Sequence, residues 1–219
     1  MNHVLIKIPS RERPNELREV LDAVFALKSS YGDTTVLVSA DDDDTTMADF
    51  TYSHPITVMY GERTTKVGAI NRDLGRMSWD IVLVLSDDMI PVVKNFDTIV
   101  RAEMLLASED LDACLWLDDG KQTRIPTIAC MGRKYWGDHG RCVYDPRFRS
   151  YCCDDAQLLL ADREGKMRRV DGPFAVHHHS MHNNWMFMGR KPDALLSHNQ
   201  KDKGTDREML KLWKKENGF

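Results

Sequence analysis

The feature that most constrains this chain is a regular exchange of short apolar β-runs and helical patterns across its first half. Each run stops on a polar or acidic turn. Val4–Ile8 is a short β-rich run stopped by Pro9. Arg13–Lys28 places Leu17, Val20, Leu21, Val24 and Leu27 at helical spacing, with Pro14 near its start. Thr34–Ser39 predicts a second strand, followed by the acidic run Asp41–Asp44, and Ile56–Tyr60 a third. Val67–Met77 carries Val67, Ile70, Leu74 and Met77 on one helical face. Ile81–Leu85 is apolar without interruption, as expected of a strand covered on both faces, and Ser86-Asp87-Asp88 ends it. Asn95–Ala107 reads as another helix.

Such an alternation predicts an α/β fold with a mostly parallel sheet flanked by helices. Ligands of such sheets sit beyond the carboxyl ends of the strands. Pro9-Ser10-Arg11, Ala40-Asp41-Asp42 and Ser86-Asp87-Asp88 all fall there. The second half is less regular. Ala113–Leu117 and Ile125–Met131 read as strands, Asp154–Asp162 as a short helix and Arg168–His179 as strand-like. Thr205-Asp206-Arg207-Glu208 has the capping-box pattern and opens a predicted helix over Asp206–Glu216. The length of 219 residues accommodates one well-buried core, so a single domain is expected over 1–219.

Three clusters carry chemistry. Asp87 and Asp88 place two carboxylates side by side past a buried strand, a repulsion that a divalent cation relieves. Oxygen ligands suit Mg2+ or Mn2+, which then bridge to phosphate. On a strand, His177 and His179 share one face, opposite His178, and an imidazole nitrogen completing the site favours Mn2+. Asp154-Asp155 opens a predicted helix, where carboxylates are ordinary caps. Beside a metal–diphosphate site, one of them becomes a candidate general base for an acceptor hydroxyl.

Ile8-Pro9-Ser10-Arg11-x-Arg13-Pro14, the acidic turn after the second strand, Lys66-Val67-Gly68-Ala69-Ile70-Asn71, Leu85-Ser86-Asp87-Asp88, Asp154-Asp155-Ala156-Gln157-Leu158 and the later histidine run occur in that order. Over residues 4–180 this series resembles the inverting glycosyltransferases of family two, which have the GT-A fold. The resemblance implies a Rossmann-like nucleotide-sugar half over 1–110 and a less regular acceptor half over 111–219. It implies that Pro9, Ser10 and Arg11 line the nucleotide pocket and that Asp41 meets the uracil ring of a UDP-sugar. Lys66, Gly68 and Asn71 would lie near the ribose and diphosphate, and Asp87 toward the ribose. Asp88 would ligate Mn2+ or Mg2+ together with His177 or His179, and Asp155 would be the catalytic base. The chain departs from the family pattern twice. Ser86 stands where the metal motif usually has its first acid, and Asp154 stands where the base pair usually has Glu.

Charge divides the chain. Residues 1–120 hold 11 Lys and Arg against 22 Asp and Glu, and residues 121–219 hold 19 against 12. The basic half interleaves charge with aromatics: Arg133-Lys134-Tyr135-Trp136, Arg141-Cys142-Val143-Tyr144 and Arg147-Phe148-Arg149-Ser150-Tyr151. Basic clusters attract phosphate backbones and aromatics stack on bases. The leading acceptor is therefore a hydroxymethylated pyrimidine in DNA, as in a phage DNA-modifying type, with a saccharide or small hydroxyl compound as the alternative. A nucleotidyltransferase should carry a glycine-rich phosphate loop, and residues 8–14 hold no glycine. A non-catalytic DNA-binding module would leave Asp87, Asp88, Asp155 and the histidines idle. The apolar runs are too short to span a bilayer, so no membrane partner is expected. The five cysteines include no C-x-x-C pair, and with no signal-peptide pattern a reducing cytoplasmic compartment is expected.

Overall fold

The computed structural model describes residues 1–30, 33–120, 123–177 and 201–219. Its framework is a seven-stranded sheet in the order β3-β2-β1-β4-β7-β6-β8. These strands are β1 (Val4–Pro9), β2 (Thr34–Asp41), β3 (Thr57–Gly61), β4 (Ile81–Val84), β6 (Cys114–Asp118), β7 (Ile128–Gly132) and β8 (Met167–Pro173). β3, β2, β1 and β4 run parallel, β7 is antiparallel to both β4 and β6, and β8 is parallel to β6. A separate antiparallel pair joins β5 (Met89–Pro91) to β9 (Ala175–His177). The helices are α1 (Pro14–Leu27), α2 (Lys66–Asn71), α3 (Phe96–Ala107), α4 (Arg133–Asp138), α5 (Cys153–Arg163) and α6 (Lys203–Glu216).

Strand alternation sorts two apolar layers. Val4, Ile6 and Ile8 of β1 face Leu17, Val20, Leu21 and Val24 of α1 and Phe96, Val100 and Met104 of α3. Leu5 of β1, with Val82 and Val84 of β4, faces Val67 and Ile70 of α2, Tyr135 and Trp136 of α4, Ala156 and Ala161 of α5 and Trp213 of α6. Every residue of β4 is buried, which is why its apolar run has no polar alternation. Lys7 shares the Leu5 face. It is 0% exposed beneath α2, with Nζ donating to Ser39 Oγ and to the Arg72 carbonyl at 2.7 Å.

The structure departs from the expected elements in four places. The helix expected over Val67–Met77 ends at Asn71, because Asp73 takes a left-handed φ of 72° and only a 3-10 turn, Leu74–Arg76, follows. β5 and α4 are additional elements. The expected Arg168–His179 strand is β8 followed by β9, and His178 and His179 lie outside the described residues. The final helix begins at Lys203 rather than Asp206. The Asp206 carboxylate is not a cap of its own helix: it accepts from the N–H groups of Arg149, Ser150 and Tyr151. No helix among the described residues is long and apolar enough to cross a membrane.

Candidate active site

An open cleft of about 1120 Å³ lies beyond the carboxyl ends of β1, β2 and β4. Its lining includes Pro9, Ser10, Arg11, Asp41, Lys66, Asp87, Asp88, Asp154, Asp155 and His177. Two elements build its centre. The hydrogen bond from Leu85 N–H to the Lys7 carbonyl carries β4 to its tip, where Met89 N–H closes a turn on the Ser86 carbonyl. That turn presents Asp87 and Asp88. β9 then pairs with β5 so that His177 lies opposite Met89, and this register sets the imidazole beside Asp88.

The two aspartates share Arg13, whose Nη1 lies 3.0 Å from Asp87 Oδ1 and 3.7 Å from Asp88 Oδ2, and differ in their other partners. Asp87 Oδ2 accepts from Ser10 Oγ at 2.9 Å and Oδ1 from Arg13 Nη1 at 3.0 Å, so both oxygens are engaged by the β1–α1 loop. Burial raises its pKa above the usual carboxylate range. Asp88 Oδ1 lies 3.4 Å from His177 Nε2, and His177 Nδ1 lies 3.4 Å from Asp119 Oδ2. Thr127 Oγ1 donates to that same Asp119 oxygen at 2.7 Å. Burial works against the charge on both Asp88 and His177. Their mutual hydrogen bond and attraction, with Asp119 adding to the imidazole, outweigh it, so Asp88 falls below its ordinary value and His177 rises above its own.

Among the described residues, no group of three or more His, Cys, Asp or Glu side chains is arranged to hold a metal ion. Asp88 Oδ1 and His177 Nε2 are a hard oxygen and an imidazole nitrogen side by side at the cleft. Two protein donors fit an ion that takes its other positions from phosphate oxygens and water. The far nitrogen of His177 meets a buried carboxylate, the arrangement that fixes the tautomer of a ligating histidine. His179 lies outside the described residues.

At the other end of the cleft Asp41 lies between two guanidinium groups, Arg11 Nη1 at 3.1 Å and Arg72 Nη1 at 3.3 Å. Arg11 also pairs with Asp43. Arg72 is held by the carbonyls of Ala40 at 2.6 Å and Glu62 at 2.7 Å. Beneath it, burial lowers the Lys7 pKa to about 7 against the attraction of Asp73. Lys66 opens α2 on the cleft wall, with Thr65 Oγ1 capping the helix through Gly68 N–H at 3.0 Å. Gly68 and Asn71 do not line the cleft. A Cβ on Gly68 would lie 2.1 Å from Thr64 Oγ1, so any larger residue there must displace the exposed Thr64 side chain. The Asn71 amide donates to the Tyr144 carbonyl at 2.7 Å and accepts from Val143 N–H at 2.8 Å, stapling α2 to that loop.

Asp154 and Asp155 occupy the first turn of α5, and both line the cleft. Burial first, and then the Asp155 charge, push Asp154 up to about 6 against the attraction of Lys66. Burial also raises Asp155, and Lys214 opposes it. The basic and aromatic stretch expected to offer a stacking surface is mostly used internally. Tyr135, Trp136, Tyr144 and Phe148 are buried, Arg133 lies 4.4 Å from the Trp79 ring and 4.5 Å from that of Trp136, and Arg147 pairs with Asp145 and Glu216. Tyr151 lines the cleft, with Lys203 over its ring at 5.7 Å and Arg207 nearby in the lining. Sequence reading missed Asp119, Arg72 and Lys7. Only Asp119 carries a local signal, the Asp118-Asp119-Gly120 turn at the tip of β6.

No protein-family model matches the chain, and no curated protein sequence matches it significantly. Solved structures do. TarS 1–349 of S. aureus superposes with a TM-score of 0.61 at 12% identity, over 80% of this chain and 60% of that one. Mannosyltransferase PcManGT of Pyrobaculum calidifontis, in complex with GDP-Man and Mn2+, gives 0.61 at 14% identity, over 78% and 55%. The fold is that of the GT-A glycosyltransferases. Glucosyl-3-phosphoglycerate synthase of Mycobacterium tuberculosis, in complex with Mn2+, UDP and phosphoglyceric acid, gives 0.56 at 15% identity, over 84% and 72%. The chain thus spans 55–60% of the length of the first two structures it matches.

Proposed function

We propose that this chain is a metal-dependent, inverting glycosyltransferase that moves a sugar from a nucleoside diphosphate, with UDP as the leading nucleotide, to a hydroxyl acceptor. The observation that carries the reading is the presence, in the lining of one cleft, of the Asp88–His177 pair at a strand tip and the Asp154–Asp155 pair at a helix start. Structures of the same fold hold GDP-Man with Mn2+, UDP-GlcNAc, or UDP with Mn2+. The donor half is 1–110 and the acceptor half 111–219. Bound Mn2+ or Mg2+ would supply charge stabilisation to the departing diphosphate. Asp88 and His177 would hold it, Asp119 keeps His177 oriented, and Lys66 adds a positive charge near the phosphates. Pro9, Ser10 and Arg11 frame the nucleotide, and Asp41 with Arg11 presents both acceptor and donor atoms to a base edge, while Arg72 holds Asp41 from behind. Asp155 takes the proton of the acceptor hydroxyl as that oxygen attacks the anomeric carbon from the face opposite the leaving group. A single displacement inverts the centre and uses no enzyme nucleophile.

Tyr151, Lys203 and Arg207 in the cleft lining offer a ring and positive charge to an acceptor, with Asp202 beside them. A hydroxymethylated pyrimidine in DNA is the leading acceptor, and a saccharide or small hydroxyl compound is the alternative arm of the test. The protein is incubated with UDP- and GDP-sugars, with and without Mn2+, against native and hydroxymethylated DNA and a panel of small hydroxyl acceptors, and products are read by mass. Asp155→Asn is expected to keep nucleotide affinity and to lose transfer by about a hundredfold or more. Near-normal turnover in that variant removes Asp155 as base. A larger loss in Asp154→Asn assigns the role to its neighbour. Tight DNA binding with no turnover of any donor returns the chain to a binding module.

A further inference from the structure

The reaction as read above does not use the buried carboxylate of Asp206. It lies on α6, is 0% exposed, and collects three successive backbone N–H groups: Arg149 at 2.9 Å on Oδ1, with Ser150 at 2.8 Å and Tyr151 at 2.7 Å on Oδ2. Successive amides converging on one anion form a nest, which keeps its shape through the charge at its centre. Asp206 is not occupied with its own helix end. Its backbone N–H already bonds the Asp202 carbonyl at 2.9 Å, and its side chain leaves α6 for the loop.

That loop is where two walls of the cleft meet. The Arg149 carbonyl accepts from Val67 N–H at 3.0 Å, one residue beyond Lys66. Cys152 follows Tyr151 in a left-handed conformation, φ 59°, and its carbonyl accepts from Ala156 N–H at 3.1 Å to start α5. The direction in which α5 leaves the loop sets the position of Asp154 and Asp155. Arg149 Nε also pairs with Asp202 at 2.8 Å, immediately before α6. One carboxylate on the last helix thus holds the segment joining the Lys66 wall to the Asp155 wall.

We propose that Asp206 is a positioning residue of the active site: by gathering residues 149–151 it sets Lys66 and the first turn of α5 relative to each other. α6 then belongs to the machinery although it supplies no reacting group. The activity arm of the test rests on the glycosyl-transfer reading; the exchange arm does not. In native-state hydrogen exchange of the unmodified protein, the amides of Arg149, Ser150, Tyr151, Val67 and Ala156 are expected to open together with α6 as denaturant rises. Opening of α6 at lower denaturant, with those five amides still protected, overturns the proposal. In the activity arm, Asp206→Asn is compared with Trp213→Ala, which strips packing from α6 and leaves the Asp206 carboxylate in place. Asp206→Asn is expected to lower kcat for donor turnover by roughly ten- to hundredfold, the scale of a misplaced catalytic group. Trp213→Ala should leave kcat within about twofold at a comparable loss of Tm. Equal loss of kcat in the two variants makes Asp206 structural only and overturns the proposal. Should Asp206→Asn fail to fold, or the chain turn over no donor, the exchange arm decides alone.

Discussion

Asp154 and Asp155 are adjacent in sequence and unlike in chemistry. Asp154 faces the Lys66 side of the cleft, is buried enough to be held at about 6, and accepts the Asp155 N–H at 3.1 Å. A carboxyl held at about 6 rather than 3.8 keeps, between those pH values, a proton that the unfolded chain has shed. Its stabilising contribution is complete below pH 4 and is lost as pH rises through 6, so at pH 7.5 the folded state bears an ionised carboxylate at a cost of order 2 kcal/mol. Asp154→Asn keeps the acceptor for the Asp155 amide and removes the charge. The variant is expected to be more stable than the parent at pH 7.5 by about 1–2 kcal/mol and nearly equal to it at pH 4, by urea unfolding. A variant less stable than the parent at pH 7.5 refutes this account of the carboxyl. Asp88 shows the opposite balance, because the imidazole of His177 beside it more than offsets its burial.

At the scale of elements, what the sequence disclosed depended on whether local pattern or distant contact decided. β1, β2, β4, α1 and α3 were legible because each carries its own period: an unbroken apolar run for β4, Leu17-Val20-Leu21-Val24 for α1. Asp41, Asp87 and Asp88 were legible for the same reason, as acids at the tips of those strands. The end of α2 was not legible. Its apolar spacing continues to Leu74 and Met77, but the Arg72 side chain is drawn to Ala40, Asp41 and Glu62 while Lys7 donates to its carbonyl. α4 gave no signal because its buried pair, Tyr135 and Trp136, is adjacent rather than spaced along a stripe. The histidine run marked His177 as a candidate, but only the β5–β9 register tells which carboxylates it meets. One junction is set chiefly by backbone contact. A Cβ on Gly132, between β7 and α4, would lie 2.1 Å from the carbonyl oxygen of Leu111, itself held by Tyr135 N–H at 3.3 Å. Neither backbone can yield without breaking that bond, so Gly132→Ala is expected to cost about 2–3 kcal/mol in denaturant unfolding. A cost below about 0.5 kcal/mol would show that the junction relaxes freely.

For the molecule as a whole, the acidic and basic halves of the sequence are not two bodies. β6, β7 and β8 extend the sheet begun by β1–β4, and α6 packs Trp213 into the same apolar layer as Leu5 and Val82. The cleft runs between residues from both halves, so filling it draws on the stability of the entire fold. A ligand that binds only the folded state stabilises it by about 2.7 kcal/mol at a hundredfold excess over Kd. In a domain of this size each kcal/mol moves Tm by roughly 2–4 °C. UDP with Mn2+ at that excess is therefore expected to raise Tm by roughly 5–10 °C. Chelating the metal should remove most of that rise and leave the smaller one expected of the proposed contacts at Asp41 and Arg11. Asp88→Ala should behave as the chelated parent does, responding to UDP but not to Mn2+. A full manganese increment in Asp88→Ala, measured by scanning calorimetry, would take the ion away from the β4 tip and with it the basis for placing the diphosphate there.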